Sequence, residues 1–266
     1  KFFLSAVDRQ IVHAFAREQE NAGGEVEVLQ PNQLGVVDFD STTSNSILSW
    51  QSVNRETGVR QNLPTSQDNQ LLFADMTADT ELKALPQNWS SAIWDPRLFR
   101  GPLGIAILGI SNQGGWKNPG PQIDKRRVYG SYSKPLLLAC AVALENWIQE
   151  KAERNQKVMQ LNSLARELLC ASIPGVRIAG ELKGCDPRYL AFSVPDVIAE
   201  EVLRKVEESG FLIDAGSACG GGALEPSHVL TAMGFGMNGN FRLTFKKEQS
   251  PETVRDLITV LLKALN

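Results

Sequence analysis

Histidine and cysteine are scarce in this chain, which has two of the first and four of the second in 266 residues. Cys140, Cys170, Cys185 and Cys219 show no CxxC spacing. That pattern argues against a zinc site or a disulfide framework and for a reducing compartment. His13 and His228 lie far apart in sequence, with no partner ligands beside either, so no metal site is expected. An excess of basic charge is also missing. The net charge of −3 gives no broad cationic face for nucleic acid. The longest apolar run, Pro135 to Leu144, is too short to cross a bilayer. No signal peptide is visible at Lys1–Ser5, and a cytoplasmic location is the expectation. Internal repeats and low-complexity tracts are absent too.

What is present is enough apolar content, 42%, for a real core. Ser5-Ala6-Val7-Asp8 has the form of a capping box, with Ile11, Val12 and Phe15 following at helical spacing, so the chain reads as entering a helix. Short apolar strands are expected at 47–53, 71–75, 91–94 and 104–108, separated by turns. Buried strands interleaved with helices suggest a mostly parallel sheet. The stretch 112–133, rich in Gly, Pro, Lys and Arg, reads as a long exposed loop. Helical material is expected from about Lys134 to Ser172, stopped by Pro174-Gly175. A smaller α/β unit follows, with strands at 188–194, 211–214 and 241–245. Its helices open at Pro195-Asp196 and Ser250-Pro251, the last with Val254, Leu257, Ile258, Leu261 and Leu265 inward.

The chemistry-bearing stretch is Ser217-Ala218-Cys219-Gly220-Gly221-Gly222, ahead of a helix start at Glu225-Pro226-Ser227. Small neighbours leave the Cys219 thiol uncovered and the glycines leave its backbone free, so it is suited to meeting a substrate. No charged neighbour activates it. Cys140 and Cys170 read as packing residues and Cys185 as a turn residue.

This segment resembles the active-site loop of the cysteine desulfurases and selenocysteine lyases, a class V branch of the fold-type I pyridoxal-phosphate (PLP) enzymes. In that family the cysteine attacks the sulfur of bound cysteine and becomes a persulfide. Other segments carry the resemblance in the same order. Val53-Asn54-Arg55-Glu56-Thr57-Gly58-Val59 resembles a family segment whose Asn lies beside the cofactor ring; the alternative is a polar turn after a strand. Leu72-Phe73-Ala74-Asp75 resembles the strand whose terminal Asp pairs with the pyridine nitrogen and keeps it protonated. Gly130-Ser131 resembles the pair that reaches the neighbouring subunit's PLP phosphate, and reads equally as a helix cap before Pro135. Asn240-Phe241-Arg242 resembles the strand carrying the arginine that clamps the substrate carboxylate.

Three positions depart from the family pattern. The Schiff-base lysine, a few residues before a Gly-Pro-x-Gly turn, falls here on Arg97 or Leu98, ahead of Gly101-Pro102-Leu103-Gly104. Arg9 stands where the family has a histidine over the ring. Ala78 stands where it has a glutamine near the ring oxygen. None of Lys83, Lys117, Lys125 and Lys134 matches the lysine position. No counterpart of the family's main phosphate-binding turn is present, so the N-terminal part of the family pattern is expected to be missing.

The resemblance therefore implies an α/β fold-type I architecture, with a large cofactor-type domain over 1–132, connecting helices over 133–172 and a small domain over 173–266. It implies a cysteine desulfurase-like function, with Cys219 as nucleophile, Asp75, Asn54, Ser131 and Gly130 as PLP contacts, and Arg242 as substrate clamp. Covalent PLP attachment is not expected. The alternative is a catalytically silent homologue acting as dimer partner, scaffold or sulfur-relay subunit. Expected partners are a second copy or an active relative, and a sulfur-acceptor protein, with no nucleic acid or membrane.

Overall fold

The computed structural model describes residues 1–65, 67–112, 133–215, 226–236 and 238–265. Among them are two sheets. The larger is built from β1 (Phe2–Ser5), β2 (Val26–Leu29), β3 (Ile47–Gln51), β4 (Leu71–Asp75), β5 (Trp89–Trp94) and β6 (Ile107–Ile110), in the order β2-β1-β3-β4-β5-β6. All neighbours run parallel except β6, which returns antiparallel along β5. One face of the central strands is closed off from solvent: Leu48, Trp50, Leu72, Ala74 and Ala92 share it in register and are each at most 3% exposed.

The sequence reads the first residues as the lead-in to a helix; the helix is there, and a strand precedes it. Phe2 to Ser5 pair with β2, and Phe2 and Phe3 also with β3, because Phe3 and Leu4 have core to fill. The capping-box residues form a strand-to-helix turn. Ser5 N donates to Asp8 Oδ2 at 3.0 Å, and Val7 N donates to Ser5 Oγ at 3.1 Å. Helix α1 (Gln10–Asn21) then starts after Arg9 with no side-chain cap. It buries Val12 and Ala16, and leaves Ile11 and Phe15 exposed.

Helices α2 (Lys134–Gln149) and α3 (Lys151–Ser172) occupy the expected helical stretch, parted at Glu150. Ser133 caps α2: its Oγ accepts from Leu136 N. The second sheet is ordered β7-β8-β10-β9, from β7 (Arg177–Ile178), β8 (Tyr189–Ser193), β9 (Asp214–Ala215) and β10 (Asn240–Thr244), all antiparallel. Helix α3 packs on this sheet with α4 (Ala199–Glu208) and α6 (Pro251–Leu265), through Leu161, Leu169, Val206, Ile258 and Leu261. The short α5 (His228–Ala232) sends Val229 and Leu230 into the core of the larger sheet.

Two local expectations shift. The strand expected at 104–108 starts at Ile107, since Gly104 has φ +85° and turns the chain first. The strand expected at 211–214 is only Asp214–Ala215. Cys140 is buried as expected, but Cys170 is exposed on α3. Cys185 is buried, and burial pushes its thiol up to about 11, so it is a protonated packing group.

The two sheets are tied by the turn after β3. Val53 to Val59 closes on itself, with Asn54 N donating to Val59 O at 2.9 Å and Gly58 N to Asn54 O at 2.8 Å. Gly58 has φ +77°, and a Cβ there would sit 2.8 Å from the Asp186 carbonyl. No other residue fits that contact. Just beyond it, the half-buried Arg60 sits between Asp79 at 2.9 Å and Asp186 at 2.8 Å, with Glu81 at 3.2 Å. Both aspartates are wholly buried. Truncating one partner of such a cluster strands the others without solvent. Arg60→Met is expected to cost about 3–5 kcal/mol in urea unfolding at pH 7, while Arg255→Met, on the exposed side of α6, should cost under about 0.5 kcal/mol.

Candidate functional site

Three parallel strands, β3, β4 and β5, end together on one side of the large sheet, the usual place for a ligand site in such sheets. Asp75 is the last residue of β4 and is 4% exposed. Its Oδ1 accepts from Thr77 N at 2.8 Å, an Asx turn that fixes the carboxylate. Arg9 comes over from the start of α1. Its Nη1 lies 3.9 Å from Asp75 Oδ2 and 3.4 Å from Thr77 Oγ1. A cation at a helix N-terminus opposes the helix dipole. Arg9 is therefore held by Asp75 and Thr77, not by helix capping.

Beside this pair, Asp8 is 1% exposed, and burial pushes its carboxyl up to about 7 even though the Ser5 amide pulls it down. The two histidines, distant in sequence, meet here. His13 and His228 touch edge to face with centroids 5.3 Å apart. His228 Nε2 donates to Asp8 O at 2.8 Å, so its Nδ1 accepts from Gln10 Nε2 at 3.0 Å. No group of metal-ligating side chains surrounds them among the described residues.

The turn after β5 carries Arg97 and Leu98, the two residues on which the lysine position of the resemblance is expected to fall. Asp95 opens a short 3₁₀ turn, Pro96–Phe99, and accepts from Arg97 N at 3.0 Å. The Arg97 side chain folds back onto the same carboxylate, with Nε at 2.9 Å from both oxygens. Arg55 reaches Asp95 from the opposite side at 3.4 Å and donates to Thr77 O at 2.7 Å. Burial works against the Asp95 charge, but Arg97 and then Arg55 outweigh it and hold the carboxyl below its ordinary range. Leu98 is 4% exposed and packs with Phe99, Cys140 and Trp147. The turn thus offers a guanidinium and a buried isobutyl group, and no primary amine.

Asn54 is buried, and its amide is engaged by its own surroundings. Nδ2 donates to Val7 O at 2.9 Å, and Oδ1 accepts from the amides of Glu56 and Thr57 at 3.0 Å each. Its visible work is to order the 53–59 turn. Ala78 packs with Val53 and Tyr189. Arg242 lies on β10 and pairs with Asp214 of β9, Nη2 at 2.6 Å and Nε at 3.2 Å. Burial raises the Glu56 carboxyl, while Ser227 and then Arg242 oppose the rise. Cys219, Gly130 and Ser131 lie outside the described residues.

Arg55, Glu56 and Asp95 are site residues that sequence reasoning did not single out. Only Arg55 and Glu56 had a signal, since they sit inside the motif flanking Asn54. Asp95 showed as nothing more than the residue before a proline.

The Asp8 shift has a measurable consequence. Its folded pKa is raised above the unfolded value of 3.8 to about 7. Between these values the folded state binds the extra proton, so this group's contribution falls as pH rises. Asp8→Asn keeps an acceptor for Ser5 N and removes the titration. Relative to the parent chain it should gain about 2–4 kcal/mol in urea unfolding between pH 4 and pH 8. A difference that stays flat with pH would show that Asp8 ionises normally.

Comparison with known proteins bears on this site. No family model matches the chain. A putative cysteine desulfurase IscS 1 of Bacillus subtilis is 26% identical over 141 residues, 51% of this chain and 37% of that protein. A mitosomal cysteine desulfurase of Encephalitozoon cuniculi is 28% identical over 236 residues, 82% of this chain and 54% of that protein. The chain thus spans about two-fifths to half the length of these curated relatives. Among solved structures, a NifS-like protein superposes with a TM-score of 0.83 at 18% identity, covering 99% of this chain and 74% of that one. The apo cysteine desulfurase of Thermococcus onnurineus NA1 also gives 0.83, at 14% identity, covering 100% and 72%. With strand β4 ending at Asp75 and matches that run the length of the chain, this protein is similar to the cysteine desulfurases and has the fold-type I PLP-transferase architecture.

Proposed function

We propose that this protein is a cysteine desulfurase-like sulfur-transfer protein, taking sulfur from L-cysteine as a persulfide on Cys219. The observation that carries this reading is Asp75, a buried carboxylate at a parallel-strand end, in a chain whose relatives are named cysteine desulfurases. The reaction balances without an external oxidant. The Cys219 thiol and L-cysteine give a Cys219 persulfide and L-alanine, the C–S bond of the substrate breaking as the S–S bond forms.

PLP is the cofactor that this family resemblance implies, and the described residues fit it in one respect. Asp75 Oδ1 is committed to Thr77. Its Oδ2 faces Arg9 at 3.9 Å, beyond hydrogen-bond reach, and so keeps an acceptor for a ring N–H. The bound cofactor would supply an electron sink for cleavage of the substrate C–S bond. Asp75 would hold the proton on the ring nitrogen. Arg242 would take the substrate carboxylate by its guanidinium fork, in competition with Asp214. The turn after β5 does not fit covalent attachment, because Arg97 stays protonated and Leu98 is inert.

That misfit favours a second reading, a partner subunit without turnover of its own. Incubation with PLP, borohydride reduction and intact-mass analysis separates the two. A phosphopyridoxyl increment mapped to any lysine of this chain supports the sulfur-transfer enzyme. Its absence, with no alanine formed from cysteine, leaves the partner subunit. Arg97→Lys alone is not expected to restore alanine production, because Arg9 and Ala78 also differ from the family pattern.

Either reading includes a two-fold dimer. Helix α2 exposes Leu137, Leu138 and Val142, at 46%, 67% and 57%. A second copy of the same surface is the occupant proposed for this apolar face. Light scattering over a dilution series should give twice the 29.2 kDa chain mass, and Leu138→Glu with Val142→Glu should return it to monomer. Monomer mass for the parent chain would rule out the homodimer.

A further inference from the structure

Behind the turn that carries Arg97 lies a cavity of about 510 Å³. Its walls come from that turn, from the α2–α3 junction and from the segment after β10. Its lining includes Arg97, Arg100, Arg154, Arg188, Lys246 and Lys247, with Glu248 as the one carboxylate. Asp75, Arg9, Asn54 and Arg242 do not line it.

Three of the six cations are spoken for: Arg97 by Asp95, Arg100 by Glu248, and Lys247 by Glu150. Arg154, Arg188 and Lys246 have no carboxylate within ion-pair distance among the described residues. Arg154 is the telling one. It is 4% exposed, and its guanidinium lies 3.4 Å from the centre of the Trp147 ring. Nη1 donates to Trp147 O at 2.7 Å, while Nε and Nη2 are buried with no hydrogen-bond partner. Arg188 repeats the pattern: Nη1 donates to Leu98 O at 3.0 Å, and its buried Nε has no partner. Burying a charge without compensation is costly, and buried donors are ordinarily satisfied. The Trp147 ring offsets part of this cost but accepts no conventional N–H bond. Burial also draws the Arg154 guanidinium down to about 10, the direction expected of a cation short of an anion.

We propose that this cavity is a second ligand site, which binds a phosphorylated small molecule through its phosphate at Arg154, Arg188 and Lys246. A phosphate group brings nearly two negative charges and three acceptor oxygens, a match for two guanidinium donor sets and an ammonium. The cavity is much larger than the anion, leaving room for the organic part beside the apolar surfaces of Val158, Pro187 and Phe245.

Isothermal calorimetry on the full chain, at fixed ionic strength, tests this with inorganic diphosphate as probe and citrate as the carboxylate comparison. Diphosphate is expected to bind saturably at one site per chain and more tightly than citrate. Arg154→Met and, separately, Lys246→Ala are expected to raise its Kd by about tenfold or more. Lys246 is exposed, so its variant reports even where Arg154→Met fails to fold. Arg9→Gln, on the Asp75 side, should leave diphosphate binding unchanged. Three results overturn the proposal: no saturable binding to the parent chain, binding indifferent to Lys246→Ala, or binding lost in Arg9→Gln. Tighter binding of citrate would overturn the phosphate assignment.

Discussion

The whole arrangement hangs on Arg60. This one guanidinium joins Asp79, two turns past β4, to Asp186, just before β8. Asp186 also accepts from Thr80 N and Oγ1, so the chain after Asp75 and the chain entering β8 share a single buried carboxylate. Around it the backbone follows: Arg60 N donates to Gly184 O and Asp186 N to Gly58 O. Burial pushes the Asp186 carboxyl up, and the Arg60 charge and the Thr80 hydroxyl oppose that rise. Such a cluster adds little net stability over an apolar replacement, but it fixes geometry, because no member can leave alone. Asp75 lies four residues before Asp79, and Asn54 six before Arg60, so both inherit their places from it.

Much of the fold was legible in the residues. Strand β4 was readable to its last residue, and α6 to its buried face, because each has a clean pattern with a terminator beside it. The strand that precedes the first helix was not legible, for a specific reason. Ser5 and Asp8 do exchange the kind of bond a capping box makes, but in a turn preceding the helix. Burial of Phe3 and Leu4 between two neighbouring strands decided the strand, and that is a tertiary fact. The strands β2 and β7 were not seen at all. They are edge strands of only four and two residues, too short to carry a pattern of their own.

The site was legible where a single residue type does one job at a strand end, as Asp75 does. It was not legible where side chains compensate one another across long separations. Nothing in the sequence joins Arg9 to Asp75, His13 to His228, or Arg60 to Asp186. The lack of a lysine in the turn before Gly101 was visible in the sequence. What Arg97 does there was not, because its partner Asp95 is recognisable only once the turn has folded.

Strand β10 has neighbours on both sides, β8 and β9, and is the only strand of its sheet other than β8 so enclosed. Arg242 lies on it, and Lys246 follows two residues after its end. Phe245 N donates to Arg188 O at 2.8 Å, which binds the exit of the strand to a second cation of the cavity wall. Arg242 and the cationic wall are therefore mounted on one stiff beam. Sliding it would break ladder bonds on two flanks at once, so the spacing between the two stations is set by the sheet and not by the loops around them.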